Sequence, residues 1–379
     1  MRYSHSPLSS TIAVEEVEDS GAFELGYRAS LDGIRGVSIL VVMAFNAHLS
    51  FGQGGYLGVG LFFVLSGFLI TSLLVREHSR TSKISLKSFY YRRALRLLPA
   101  LFALILFVSV YAALFQPQEK AMRTWKGVLY TLFYVANWAQ LGSNPSGIGA
   151  LSHAWSLSVE EQFYILWPLL LVVLLRRGVK REWIAGLLLL AISASIAWSA
   201  CLWHAGANYM RVYQGSDTRA GELLIGCLVA LLINWRVLPQ TKPARIAFRL
   251  TSLTSLGAIL YAVWALPVSS GFLYCGGFAL IACGASAILI DALLFPSHLS
   301  RIFEFQPLVW IGKVSYGLYL WHFPIFETSR QTLAGRVSPF IYEAARFGAV
   351  FLVAGASYYF LEKPFLRMKR RYTSLPVQR

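Results

Sequence analysis

The sequence predicts an all-α integral membrane protein, with about ten transmembrane helices around a polar path and one further re-entrant or interfacial helix. Three observations carry that prediction. Of the 379 residues, 56% are hydrophobic and 14% charged, where a soluble domain averages roughly 45–50% apolar and about 25% charged. The apolar residues gather in blocks of about 17–25, the length that crosses about 30 Å of hydrocarbon. Lys and Arg collect between those blocks, as they do in cytoplasmic loops. Backbone groups in lipid must bond within their own segment, so the blocks are expected as helices.

In chain order, residues 1–27 are polar and carry Glu15, Glu16, Glu18, Asp19 and Glu24. They have no apolar core of a signal peptide and read as a disordered cytoplasmic tail. Apolar blocks follow near 31–50, 56–75, 97–115, 124–141, 160–175, 183–203, 220–235, 250–266, 271–295, 308–328 and 338–361. Loop charge decides how many cross. Arg76, Arg80, Lys83, Lys87, Arg92, Arg93 and Arg96 mark one cytoplasmic loop, and Arg176, Arg177, Lys180 and Arg181 mark another. Two inside loops enclose an even number of crossings, yet three blocks lie between them. The weakest is 124–141, which holds Lys126, Asn137 and Gln140, with Trp125 and Trp138 as interfacial anchors. It is expected to lie re-entrant or along the outer surface. Ten spans then remain, with both termini inside. The same count places Arg236, Lys242, Arg245 and Arg249 inside, together with a basic tail over 363–379.

The net charge of +16 is thus an orientation signal and not a nucleic-acid footprint. Cys201, Cys227, Cys275 and Cys283 lie in or beside apolar blocks. No CxxC or Cys/His spacing suggests a metal or a redox pair. Neither a metal nor a tightly bound cofactor is expected.

Ionisable groups inside a membrane are costly and usually mark function. Asp32 and Arg35 open the first span, and Asn46 and His48 close it. Arg93 and Arg96, three apart, share a helix face and can clamp phosphate or carboxylate. Glu160 and Glu161 sit near the start of the fourth span, where a helix N-terminus alone would favour them. Asp217, Arg219 and Glu222 open the sixth span, where a purely structural ion-pair set is the alternative. His322 lies in the ninth. Together these groups suggest a polar path, with a phosphate-binding cluster at the inner mouth and carboxylates and imidazoles toward the outer mouth. Such a path suits either group transfer across the bilayer or transport.

Seven motifs stand in order: LDGIRG, GGYLGVGLFFVLSGFLIT, YYRRALRLLP, HAWSLSVEEQFYILWP, DTRAGELLIGCL, GKVSYGLYLWHFPIF and SYYFLEKPFLRMKRR. Over residues 28–371 the chain resembles acyltransferase family 3, integral membrane proteins that O-acylate sugars of bacterial surface polysaccharide and lipopolysaccharide. The resemblance implies an acyltransferase-like membrane domain over 28–362, in the cytoplasmic membrane of a bacterium. It implies acyl-CoA as cosubstrate and donor, and a sugar or glycolipid as acceptor. It also implies a proton-abstracting His in the first span, an Arg-x-x-Arg motif and a Glu in W-x-L-x-x-E-x-x-F-Y. Arg93 and Arg96 match the second, with Arg35 as a helper in donor binding. Trp155, Leu157, Glu160, Phe163 and Tyr164 match the third. Trp155, Tyr164, Asp217, Arg219 and His322 are the expected contacts to the acceptor.

Two positions depart from the family pattern. Asn46 stands where the His is expected, and Gly60 where an Asp precedes FFVLSG. At about 100° per residue, Asn46 lies about 20° from Arg35 around the helix axis and His48 about 140° away. Asn46 therefore continues the polar face. Its amide is no base, though it can orient a substrate. Three readings follow: His48 is a relocated base, His153 or His322 serves instead, or the chain is a non-catalytic relative that binds, senses or moves a glycolipid or acyl donor.

Overall fold

The helices divide into buried and lipid-facing ones. The computed structural model describes residues 26–141, 148–295, 297–332 and 336–373; the expected tail over 1–27 lies outside the described residues except for 26 and 27. The chain begins with α1 (Ala29–Asn46), α2 (Leu57–Thr81) and α3 (Leu86–Phe115). Then come α4 (Gln118–Leu132), α5 (Ala136–Leu141), a 3₁₀ turn (Gly149–Ala154) and α6 (Trp155–Arg176). Next are α7 (Arg181–His204), α8 (Tyr209–Gln214), α9 (Ser216–Asn234) and α10 (Lys242–Ala265). A π-turn (Leu273–Gly277) leads into α11 (Phe278–Leu294), followed by α12 (His298–Phe303), α13 (Gln306–Lys313) and α14 (Ser315–Thr332). The chain closes with α15 (Pro339–Ala356), a π-turn (Ser357–Glu362) and α16 (Lys363–Thr373). No strand occurs among the described residues.

Local sequence sets several boundaries. Ser85, Thr241 and Ser338 accept from backbone N–H groups in the first turns of α3, α10 and α15, as N-cap hydroxyls do. Pro243 and Pro339 stand where a first-turn N–H has no helical partner.

Among the described residues, eight helical segments are long and apolar enough to cross a bilayer. α9 (19 residues) and α14 (18 residues) are of similar length. With them the long helices number ten, and α9 carries three charged residues, Asp217, Arg219 and Glu222. The block at 124–141 is not one helix. α4 has 15 residues, about 22 Å at 1.5 Å per residue, and the chain breaks at Tyr134 with φ of 53°. Neither α4 nor α5 reaches across about 30 Å of hydrocarbon. The expected span at 308–328 is also corrected. It starts at Ser315, because residues 306–313 form α13, which packs along α1. The basic tail expected from 363 opens with α16.

α2 is central and mostly buried, whereas α10 is mostly exposed, at the lipid-facing edge. α2 and α9 make the most extensive helix contact. Small residues permit it: a Cβ on Gly67 would overlap the Leu223 carbonyl, and one on Gly226 the Val64 carbonyl.

Candidate functional site

A cavity of about 740 Å³ opens between α1, α2, α3, α6 and α14. Its polar walls are Arg35, Ser66, Arg93, Glu160, Tyr164 and Ser315; Phe62, Leu69 and Leu73 supply apolar surface. Arg76, Arg80, Arg92 and Arg96 line it where α2 ends and α3 begins. Tyr319 and Ser156 line it as well.

Each polar group is held by a neighbour from another helix. Arg93 on α3 donates to Glu161 on α6, with Nη2 2.6 Å from Oε1, and its guanidinium lies 3.2 Å above the Tyr164 ring. Ser66 on α2 donates to Glu160 Oε1 at 2.9 Å, and the Tyr164 hydroxyl donates to Oε2 at 3.4 Å. Arg35 on α1 donates to Ser315 Oγ on α14 at 3.1 Å. Cationic groups thus face an apolar chamber while their carboxylate partners stay hydrogen-bonded. Such a chamber can seat an anionic ligand that carries an apolar arm.

Beyond Tyr319 and Ser156 lies a second polar group. The Tyr319 hydroxyl donates to the His153 carbonyl at 2.8 Å and also meets the Ser156 hydroxyl. One turn further along α14, His322 is fully buried. Its Nδ1 lies 2.7 Å from the Tyr319 carbonyl oxygen, and Asn46 Nδ2 lies 3.2 Å from its Nε2. A carbonyl only accepts, so Nδ1 carries the proton and Nε2 accepts from the Asn46 amide. The His153 ring sits 5.4 Å from that of His322, with no hydrogen-bond partner at either nitrogen.

The structure brings Arg35, Arg93, Arg96, Glu160 and Tyr164 together at one cavity. It does not set Arg93 and the carboxylates at opposite mouths, since Arg93 touches Glu161 directly. Nor do Glu160 and Glu161 cap α6, which starts at Trp155 with no acid in its first turn. Asn46 does share a face with Arg35: both turn toward α14. His48 is elsewhere. It is exposed, in the turn after α1 with φ of 58°, and does not line the cavity.

Trp155, Asp217, Arg219 and His322 also do not line it. Asp217 pairs with Arg211 and accepts from Trp198. Arg219 pairs with Glu222 at 2.6 Å inside an aromatic cage: its guanidinium lies 3.9 Å from the Phe278 ring centroid and 4.9 Å from that of Tyr213, with Trp155 behind. Gly60 belongs to this pair, because a Cβ there would collide with Glu222 Oε1. The two departures from the family pattern therefore have separate surroundings: position 46 faces α14 and position 60 faces α9.

Sequence reading passed over Ser66, Ser315 and Tyr319 as site residues and gave Glu161 no role of its own. Ser66 was detectable as a lone hydroxyl in FFVLSGFLI. Ser315 and Tyr319 are spaced four apart in SYGLY, one helix face.

A family model described as an acyltransferase domain matches residues 28–359. Peptidoglycan O-acetyltransferase OatA of Listeria monocytogenes is 34% identical over 349 residues, covering 89% of this chain and 56% of that protein. YrhL of Bacillus subtilis, provisionally named a peptidoglycan O-acetyltransferase, is 34% identical over 89% of this chain and 55% of its own. SAS0844 of Staphylococcus aureus, provisionally named an O-acetyltransferase, is 33% identical over 90% and 58%. The chain spans about half the length of these curated relatives. No solved structure gives a significant match. The chain belongs to this acyltransferase family.

Proposed function

We propose that this member of the acyltransferase family is a membrane O-acyltransferase. It moves a short acyl group, acetyl foremost, from cytoplasmic acyl-CoA to a hydroxyl of an outward-facing glycan. The observation that carries the reading is the cavity that holds Arg35, Arg93, Arg96 and Glu160 around apolar walls. Guanidinium groups suit the phosphates of coenzyme A, and the apolar walls suit its pantetheine arm and thioester.

In this reading the basic end at Arg76, Arg80, Arg92 and Arg96 opens to the cytoplasm, where the donor is made, and both termini lie on that side. Arg93 grips phosphate and is itself fixed by Glu161 and Tyr164. Glu160, anchored by Ser66, positions the reacting groups. The acceptor enters from the opposite face. The names of the relatives make a peptidoglycan glycan the acceptor to test before lipopolysaccharide.

The test is transfer of labelled acetyl from acetyl-CoA to a peptidoglycan disaccharide by the purified full chain. Transfer by the wild type, with Arg93→Ala lowering kcat/KM about 100-fold, is the expected result. Undiminished transfer in Arg93→Ala removes the donor role. No thioester turnover with any short acyl-CoA favours a non-catalytic relative that binds or moves such compounds.

A further inference from the structure

We infer that His322 is the base that activates the acceptor hydroxyl, and that Asn46 is the positioning residue that holds its Nε2 until the hydroxyl replaces it, across a gate made by Tyr319 and Ser156. The inference rests on the acyl-transfer reading and adds the residue that removes the proton.

Three helix faces lead to the same place. On α14, Ser315, Tyr316 and Tyr319 line the donor cavity, and His322 follows Tyr319 by three residues, about 4.5 Å of rise. Before and at the start of α6, Ser156 lines the cavity, and His153 precedes it. On α1, Arg35 lines the cavity and Asn46 lies three turns on, over the same partner helix. All three faces converge on the imidazole pair, and the Tyr319 hydroxyl, engaged with Ser156 and the His153 carbonyl, separates that pair from the cavity.

The hydrogen bonds select one ring nitrogen. Nδ1 of His322 is committed to the Tyr319 carbonyl, so its lone pair for a proton is on Nε2. That nitrogen faces Asn46, which is half-buried, next to exposed His48 at the end of α1. His153 is 6% exposed, with both ring nitrogens unpartnered. A buried imidazole without partners carries a desolvation cost that a bound hydroxyl or carbonyl would relieve.

In the step itself, the acceptor O–H takes the place of the Asn46 amide at Nε2. Its proton passes to Nε2 as the oxygen bonds to the thioester carbonyl carbon. The C–S bond then breaks, and the leaving thiolate takes the proton back from the imidazolium. The products are the O-acyl ester and free thiol. The groups that face His322 are Asn46 from α1, His153 from the 3₁₀ turn, and Tyr319, Phe323 and Phe326 from its own helix. Arg346 on α15 is stacked on Phe326, further out, beside Glu343.

Transfer from acetyl-CoA to the peptidoglycan disaccharide, and acetyl-CoA binding, would be measured on the full chain. His322→Gln should lose at least about 100-fold in kcat, within the usual worth of a general base, with donor binding unchanged. Asn46→His/His322→Gln, which moves an imidazole to the facing helix, should regain part of that loss. Asn46→Asp should shift the acid limb of the kcat/KM profile up by about one pH unit, because a carboxylate at Nε2 favours the imidazolium. That shift stays readable if His322→Gln fails to fold, and it appears in kcat/KM only if His322 is the titrating base. Wild-type-like kcat in His322→Gln, or an unmoved profile in Asn46→Asp, overturns the inference. Undiminished transfer in Arg93→Ala instead overturns the donor-site reading and leaves these two results to decide the base.

Discussion

Two arginine–glutamate pairs sit in this protein, and they differ in what surrounds them. Arg219 and Glu222 are sealed, with side chains 1% and 3% exposed, inside rings from α2, α6, α8 and α11. Arg93 and Glu161 have equally close contact but are 18% and 11% exposed, at the wall of a cavity. The sealed pair has nothing left to bind and no room: even a methyl on Gly60 would strike it. The open pair presents a cation to an apolar chamber. Identical chemistry therefore fixes the fold in one place and offers a binding surface in the other, and burial makes the difference.

The sharpest way to break that contrast is to remove each arginine. Arg219→Met should cost about 3–5 kcal/mol of stability, because it strands a buried carboxylate. Arg219→Met/Glu222→Leu should recover most of that cost, since an apolar replacement of a buried pair is often neutral. Unfolding in detergent reads both, and a loss under about 1 kcal/mol in the single variant would show that water already reaches the cage. Arg93→Ala should instead lower transfer about 100-fold, near 2.7 kcal/mol of transition-state binding, while costing about 1–3 kcal/mol of stability, less than Arg219→Met because Glu161 is left at a cavity wall. Equal destabilisation by both arginine variants would erase the distinction.

A smaller effect is expected at Gly60. Gly60→Ala pushes into Glu222 and should cost about 1–3 kcal/mol by overpacking, read as a lower unfolding midpoint. An unchanged midpoint would mean that Glu222 moves freely. Smallest of all is His48→Asn, which keeps a residue tolerant of the left-handed backbone and should change stability by under about 0.5 kcal/mol. Transfer should also persist. Loss of transfer in His48→Asn would restore the relocated-base reading.

The sequence made the long helices legible, because span length and loop charge are local properties. It also made legible that Arg35 and Asn46 share a face, since that needs only the helical period. Arg93 and Arg96 could be read as one cationic face for the same reason. What it hid was tertiary. Arg93 meets Glu161 across 68 positions of chain, and no periodicity links them. Tyr134 breaks the 124–141 block in a left-handed conformation without the Gly or Asn that usually announces one. The start of α14 at Ser315 was masked because α13 continues the same apolar run. The pairing of Asn46 with His322 lay beyond reach for want of any signal that α1 and α14 touch at that height.

The most direct test of the central claim is equilibrium binding of acetyl-CoA to the purified full chain. If the cavity holds the donor, Arg93→Ala should weaken binding by tenfold or more, while Arg330→Ala, an exposed pair on α14, leaves it unchanged. Equal affinity in the wild type and Arg93→Ala would contradict the account.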